Sequence, residues 1–129
     1  MSDEEHILVV DDDSDVRDVL AEMLRAYGYR VSCAVDGALM RDFLKGDDPV
    51  NTVVLDALMP GESSTTLALH AKELGLSVVM ISGSLEAMKF AAENNLQLLE
   101  KPFRAQELVN AVGNAIASGQ AGQRSENSN

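Results

Sequence analysis

Five short runs of β-favouring residues recur along the chain, at His6–Val10, Arg30–Ala34, Thr52–Leu55, Ser77–Ile81 and Gln97–Leu99. The first, third and fourth are continuously apolar rather than alternating, which is how strands covered on both faces read. Between the runs the apolar positions fall at helical spacing. After Ser14 they are Val16, Val19, Leu20, Met23, Leu24 and Tyr27, one face of a helix that Ser14 would cap and Gly28 would stop. Ala105, Leu108, Val109, Val112 and Ile116 make a similar face near the end of the chain. Shorter helices are expected at 37–45, 64–74 and 85–94. In the last of these, Leu85, Met88 and Ala92 form the inward stripe and Phe90 points off it.

A strand-helix unit repeated five times predicts an α/β fold, a doubly wound five-stranded parallel sheet with crossover helices on both faces. Residues 5–117 make up this one domain. Ser118–Asn129 is rich in Gly, Ser, Gln and Asn, buries almost nothing, and reads as a disordered polar tail.

Composition narrows the function classes. The chain has 129 residues, 46% of them apolar but only 4% aromatic, so the core must be aliphatic. Ten Lys and Arg against 21 Asp and Glu leave a net charge of −11. That balance argues against direct nucleic-acid binding, which relies on neutralising phosphates, and against docking on an anionic membrane. It leaves solubility, or acids gathered for a metal or a basic partner. Cys33 is the lone cysteine and reads as a buried, inert thiol. No signal-like or membrane-length apolar run is present, so the protein reads as cytoplasmic. His6 and His70 have no metal-like neighbours and read as surface or cap residues.

The chemistry-bearing residues gather where the strands end. Asp11, Asp12 and Asp13 follow the first run, Asp56 the third, Ser82 the fourth and Lys101 the fifth. Ligands of open α/β sheets bind beyond the carboxyl ends of the strands. If strands 1, 3, 4 and 5 are successive neighbours, these side chains converge. Acids at the start of a helix could simply answer its dipole. Several carboxylates in one crevice, however, repel one another and call for a hard cation and a lysine ammonium. Acids, hydroxyl and lysine together suit phosphoryl transfer, which needs charge neutralisation and positioning.

Val-Asp-Asp at 10–12, Asp56 within LDALMPG, Ser82-Gly83 after VVMI, and Lys101-Pro102-Phe103 occur in this order at successive strand ends. Over residues 5–117 the chain resembles the receiver family of two-component response regulators, of the chemotaxis single-domain type. The resemblance implies a flavodoxin-like strand order, 2-1-3-4-5. It implies that Asp56 accepts a phosphoryl group from a histidine kinase or histidine phosphotransfer domain. Asp12, Asp56 and the Leu58 carbonyl would ligate Mg²⁺ (or Mn²⁺), with Asp11 acting through water. Ser82 would hydrogen-bond the phosphoryl group, Lys101 would pair with it, and Gly83 would leave it room. The Lys101-Pro102 bond is similar to one that is usually cis in the family. Such a domain is no enzyme in its own right, since it assists only its own phosphorylation and dephosphorylation. With no output domain after Ile116, the signal is expected to pass by protein contact to an unidentified target. The face made by the fourth helix, fifth strand and fifth helix, with Phe90 and Leu98, is the expected surface.

The sequence departs from the receiver pattern in places. Leu98 stands where a Tyr or Phe is common. Ser63-Ser64 replaces a frequent Asp-Gly pair, and Asn94-Asn95 replaces Gly-Ala, with Asn tolerating a left-handed turn. Leu58 and Ser84 flank the site, and neither can orient an attacking water, so a slowly hydrolysing phosphoaspartate is expected. Two other readings stay open. Asp11-Asp12-Asp13-Ser14 resembles the motif of haloacid-dehalogenase-type phosphatases, with Asp11 as nucleophile, although no acidic pair follows Lys101. A binding-only receiver is the other.

Overall fold

The computed structural model describes residues 5–59, 61 and 63–127, with side chains described as far as residue 118. The elements are β1 (His6–Val10), α1 (Ser14–Ala26), β2 (Arg30–Ala34), α2 (Gly37–Lys45), β3 (Thr52–Asp56), α3 (Ser64–Glu73), β4 (Ser77–Ser82), α4 (Leu85–Glu93), β5 (Gln97–Glu100) and α5 (Ala105–Asn127). All strand pairs are parallel, in the order β2-β1-β3-β4-β5, which is the doubly wound arrangement expected. The expected strands extend by one residue at three carboxyl ends, through Asp56, Ser82 and Glu100. The polar tail expected from Ser118 falls largely on side chains outside those described.

The continuous apolar strands divide their side chains between two cores. Ile7, Val9, Val54, Val79, Ile81 and Leu99 face one way and meet Leu20, Ala21 and Leu24 of α1 and Leu108, Ala111, Val112 and Ala115 of α5. Leu8, Val10, Val53, Leu55, Val78 and Met80 face the other way, toward Met40 of α2 and Leu67, Ala68 and Ala71 of α3. Each large aliphatic side chain removed from water here contributes roughly 2 kcal/mol, so the central strands anchor both layers. Phe90 and Leu98 are half-buried against the second core.

Several local expectations need correction. Asp13, not Ser14, caps α1: its carboxylate accepts from the Asp15 and Val16 N–H groups, a stronger acceptor for those donors than a hydroxyl. Val19 and Tyr27 lie on the solvent side of α1, with Ala21 inward instead. In α4 the inward residues are Ala87 and Ala91, whereas Leu85 is 78% exposed and Ala92 is also exposed. Small alanines let α4 approach the sheet closely, so bulk was a poor guide to its face. His6 is a core residue rather than a surface one, with Nδ1 2.8 Å from the Pro49 carbonyl and Nε2 2.8 Å from Ser32 Oγ. The Asn94-Asn95 turn behaves as expected, with Asn95 at φ 55°. No helix among the described residues is long and apolar enough to cross a membrane.

Candidate functional site

The parallel register brings the strand ends to one edge. Val10 pairs with Leu55, Asp56 with Ile81 and Ser82 with Glu100, so Asp11, Asp56, Ser82 and Lys101 emerge side by side. The ladder runs on past the strands: Asp11 N–H donates to the Ala34 carbonyl at 3.2 Å, Ala57 N–H to Ile81 at 2.9 Å, and Lys101 N–H to Ser82 at 3.0 Å. These bonds fix the backbone at the site before any ligand arrives. The Lys101-Pro102 peptide is cis.

Carboxylate oxygens of Asp11, Asp12 and Asp56 lie within 4.8 Å of one another. Asp11 is buried at 2% exposure and Asp56 at 7%, while Asp12 is exposed at the rim. Lys101 Nζ is 3.7 Å from Asp56 Oδ1, and the Leu58 N–H donates to the same oxygen at 3.2 Å. Ser82 Oγ accepts from the Ser84 N–H at 2.9 Å, which leaves its own proton to donate. Asp11 Oδ1 accepts from the Asp13 N–H at 2.9 Å, and Arg17 Nη1 donates to the Asp11 backbone carbonyl at 2.8 Å. Asp11 Oδ2 is buried with no hydrogen-bond partner.

Electrostatics follow from this crowding. Burial raises the Asp11 pKa above the ordinary carboxylate value; the Asp13 N–H opposes that, and the neighbouring Asp56 charge adds to it. Three carboxylates with an orphaned buried oxygen among them fit a hard divalent cation, which takes oxygen donors and keeps part of its water shell. No atom beyond its chain neighbours lies within 4 Å of where a Cβ on Gly83 would stand. Leu58 turns its side chain outward, at 86% exposure, and its backbone toward Asp56.

The residues singled out from sequence therefore gather at these strand ends, except Phe90 of α4 and Leu98 of β5, which pack against the second core. The sequence reading missed Ser64, whose buried hydroxyl donates to the Asp56 backbone carbonyl at 2.7 Å. The only available signal was a serine where receivers often have glycine.

The family model of the response regulator receiver domain matches residues 7–113, nearly the whole sheet and its helices. The chain belongs to that family. Among curated relatives, the transcriptional regulatory protein YbdJ of Bacillus subtilis is 33% identical over 114 residues, covering 85% of this chain and 50% of YbdJ. The transcriptional regulatory protein FixJ of Bradyrhizobium diazoefficiens is 31% identical over 134 residues, covering 98% of this chain and 63% of FixJ. The chain thus spans about half the length of the curated relatives it matches. Among solved structures, a response regulator receiver domain protein from Clostridium thermocellum superposes with a TM-score of 0.80 at 26% identity, covering 91% of this chain and 98% of its own. Receivers of two-component systems are regulatory phosphoacceptors, and phosphorylation and Mg²⁺ binding are typical of the family.

Proposed function

We propose that this receiver is a phosphoryl-accepting signalling switch with Asp56 as acceptor and a phosphohistidine on a partner kinase or phosphotransfer domain as donor. The observation that carries the reading is the pairing of Asp56 with Lys101 at 3.7 Å inside a group of three carboxylates, one of which has an unpartnered buried oxygen.

The residues supply positioning and charge. An Asp56 carboxylate oxygen attacks phosphorus, forming a P–O bond as the P–N bond to the donor imidazole breaks and the imidazole keeps that electron pair. Lys101 stands beside Asp56 and pairs with the incoming phosphoryl oxygens, and the Ser82 hydroxyl donates to another. Gly83, which has open space where a Cβ would stand, leaves the group room. Asp12, Asp56 and the Leu58 carbonyl would hold Mg²⁺ or Mn²⁺, with Asp11 through water. That ion would neutralise charge on the transferred oxygens. Leu58 and Ser84 offer no acid or amide to orient water, so the phosphoaspartate hydrolyses slowly, with a half-life of minutes or longer. A half-life of seconds in Mg²⁺ buffer would contradict this.

Output passes by protein contact through α4, β5 and α5. Phe90 and Leu98 are half-buried there, packed against the second core. Leucine at 98 fills the groove but presents no ring or hydroxyl to a target. A two-state surface biased by the added charge is the general device. The partners and the cytoplasmic setting belong to this same reading. The phosphatase reading has less support, because Asp11 is buried with Oδ1 held by the Asp13 N–H.

The test is intact mass after incubation with Mg²⁺ and acetyl phosphate, beside Asp56→Asn. One added phosphoryl group in the wild type alone supports the proposal. Labelling of both proteins transfers the role to Asp11. Labelling of neither favours a binding-only receiver.

A further inference from the structure

Ser63 and Ser64 stand where receivers often carry Asp-Gly, and the two hydroxyls do different things. Ser63 is the N-cap of α3 but makes no side-chain cap bond; its Oγ lies 2.7 Å from Thr65 Oγ1. Ser64 is the first residue of the helix, is buried, and donates to the Asp56 carbonyl at 2.7 Å. A glycine has no atom with which to make this bond. It ties the first residue of α3 to the last residue of β3, closing the intervening loop across its base.

Asp56 is consequently gripped twice. The Leu58 N–H, inside the loop, holds its carboxylate at 3.2 Å, and the Ser64 hydroxyl, at the loop's far end, holds its backbone carbonyl. Carboxylate and carbonyl branch from one Cα. Fixing the peptide plane after Asp56 narrows the directions available both to its side chain and to the Leu58 backbone that follows. Pre-aimed groups lose less freedom when a ligand arrives, and displacements of about an ångström cost large factors in rate.

We propose that Ser64 is a positioning residue for phosphoryl acceptance: its hydroxyl, by holding the Asp56 carbonyl, keeps the acceptor carboxylate and the Leu58 carbonyl aimed at a bound divalent cation. Ser64 touches neither the phosphoryl group nor the ion. The inference rests on Asp56 being the acceptor.

The test uses the full chain as wild type, Ser64→Ala and Ser63→Ala. Mg²⁺ affinity of the unphosphorylated protein is read by calorimetry, and labelling by acetyl phosphate is timed at saturating Mg²⁺. Loss of the Ser64 hydroxyl weakens Mg²⁺ binding about fivefold, the worth of one net hydrogen bond. It slows labelling about tenfold. Ser63→Ala leaves both unchanged. Wild-type affinity and rate in folded Ser64→Ala, whatever its melting temperature, overturns the proposal, because a purely structural bond moves stability alone. If Ser64→Ala does not fold, Ser64→Gly, the residue receivers often carry here, removes the same hydroxyl. An unchanged Mg²⁺ affinity in that variant overturns the proposal equally. A wild type that never labels defeats the acceptor reading instead, and the calorimetric comparison still decides whether Ser64 aims the carboxylates.

Discussion

At the amino end of β1, His6 is buried and both its ring nitrogens are engaged, by the Pro49 carbonyl and Ser32 Oγ at 2.8 Å each. At the carboxyl end of the same strand Asp11 is equally buried, yet one of its carboxylate oxygens has no partner. The carbonyl of Pro49 can only accept, so His6 Nδ1 donates to it, while Nε2 and Ser32 Oγ share a second hydrogen bond. The surroundings of His6 are closed in the same way: its N–H donates to Asn51 Oδ1 at 2.9 Å, and Arg30 pairs with Asp48. Thr52 Oγ1 is an unpartnered buried atom at that end too, but a neutral hydroxyl is far cheaper to bury than an ionised oxygen. One end of the sheet uses its polar groups to hold itself together. The other leaves a buried carboxylate oxygen of Asp11 without a partner, close to the Asp56–Lys101 pair.

The contrast can be broken from either side. The largest effect is expected at the closed end: His6→Ala removes two buried hydrogen bonds and packed ring volume, and should destabilise by about 3 kcal/mol. Denaturant unfolding measures that loss, while acetyl phosphate labelling per folded molecule should stay at the wild-type rate. Next is Lys101→Met at the open end. It should slow labelling on the order of 100-fold, as loss of a charge-stabilising donor does, with little change in unfolding free energy. Equal loss of stability in both variants would erase the distinction between the ends.

The smallest effect sharpens the comparison through pH. Burial raises the Asp11 pKa, so the metal-free folded state holds that proton more tightly than the unfolded chain does. The resulting stabilisation is fully present below the unfolded value near 3.8 and is lost as pH rises through the raised folded-state pKa. Without Mg²⁺, the unfolding free energy of the wild type should therefore fall across that window relative to Asp11→Asn. At pH 7 the variant should melt higher by on the order of 3 °C. Saturating Mg²⁺ should reverse the order, because only the wild type keeps a full carboxylate, with its charge, for the cation. A wild type and variant with parallel pH profiles would show that Asp11 carries no buried charge.

What the chain order reveals without a structure depends on how far the interaction reaches. Continuous apolar strands and the polar residue after each are local signals, and they located β1, β3 and β4 and assembled Asp11, Asp56, Ser82 and Lys101 at one edge. Helix faces were harder. Helical spacing places Leu85, Met88 and Ala92 inward on α4, whereas Ala87 and Ala91 are the buried residues. His6 looked like surface because its partners, Ser32 and Pro49, come from distant segments. Ser64 was visible as an odd residue, but its bond to Asp56 depends on where α3 begins relative to the end of β3, which no spacing reports. The Asp13 cap was lost among consecutive acids, each of which could have served.

The division of the interior by the sheet has an evolutionary corollary. α1 and α5 rest on one core, and α2 and α3, with Phe90 of α4, on the other. Two cores on opposite faces of the sheet, lined by different side chains, tolerate change nearly independently, and the effects of well-separated mutations add. A lineage can therefore remodel α2 and α3 on one face while α1 drifts on its own schedule on the other, with the strand ends between them as the part both layers must leave alone.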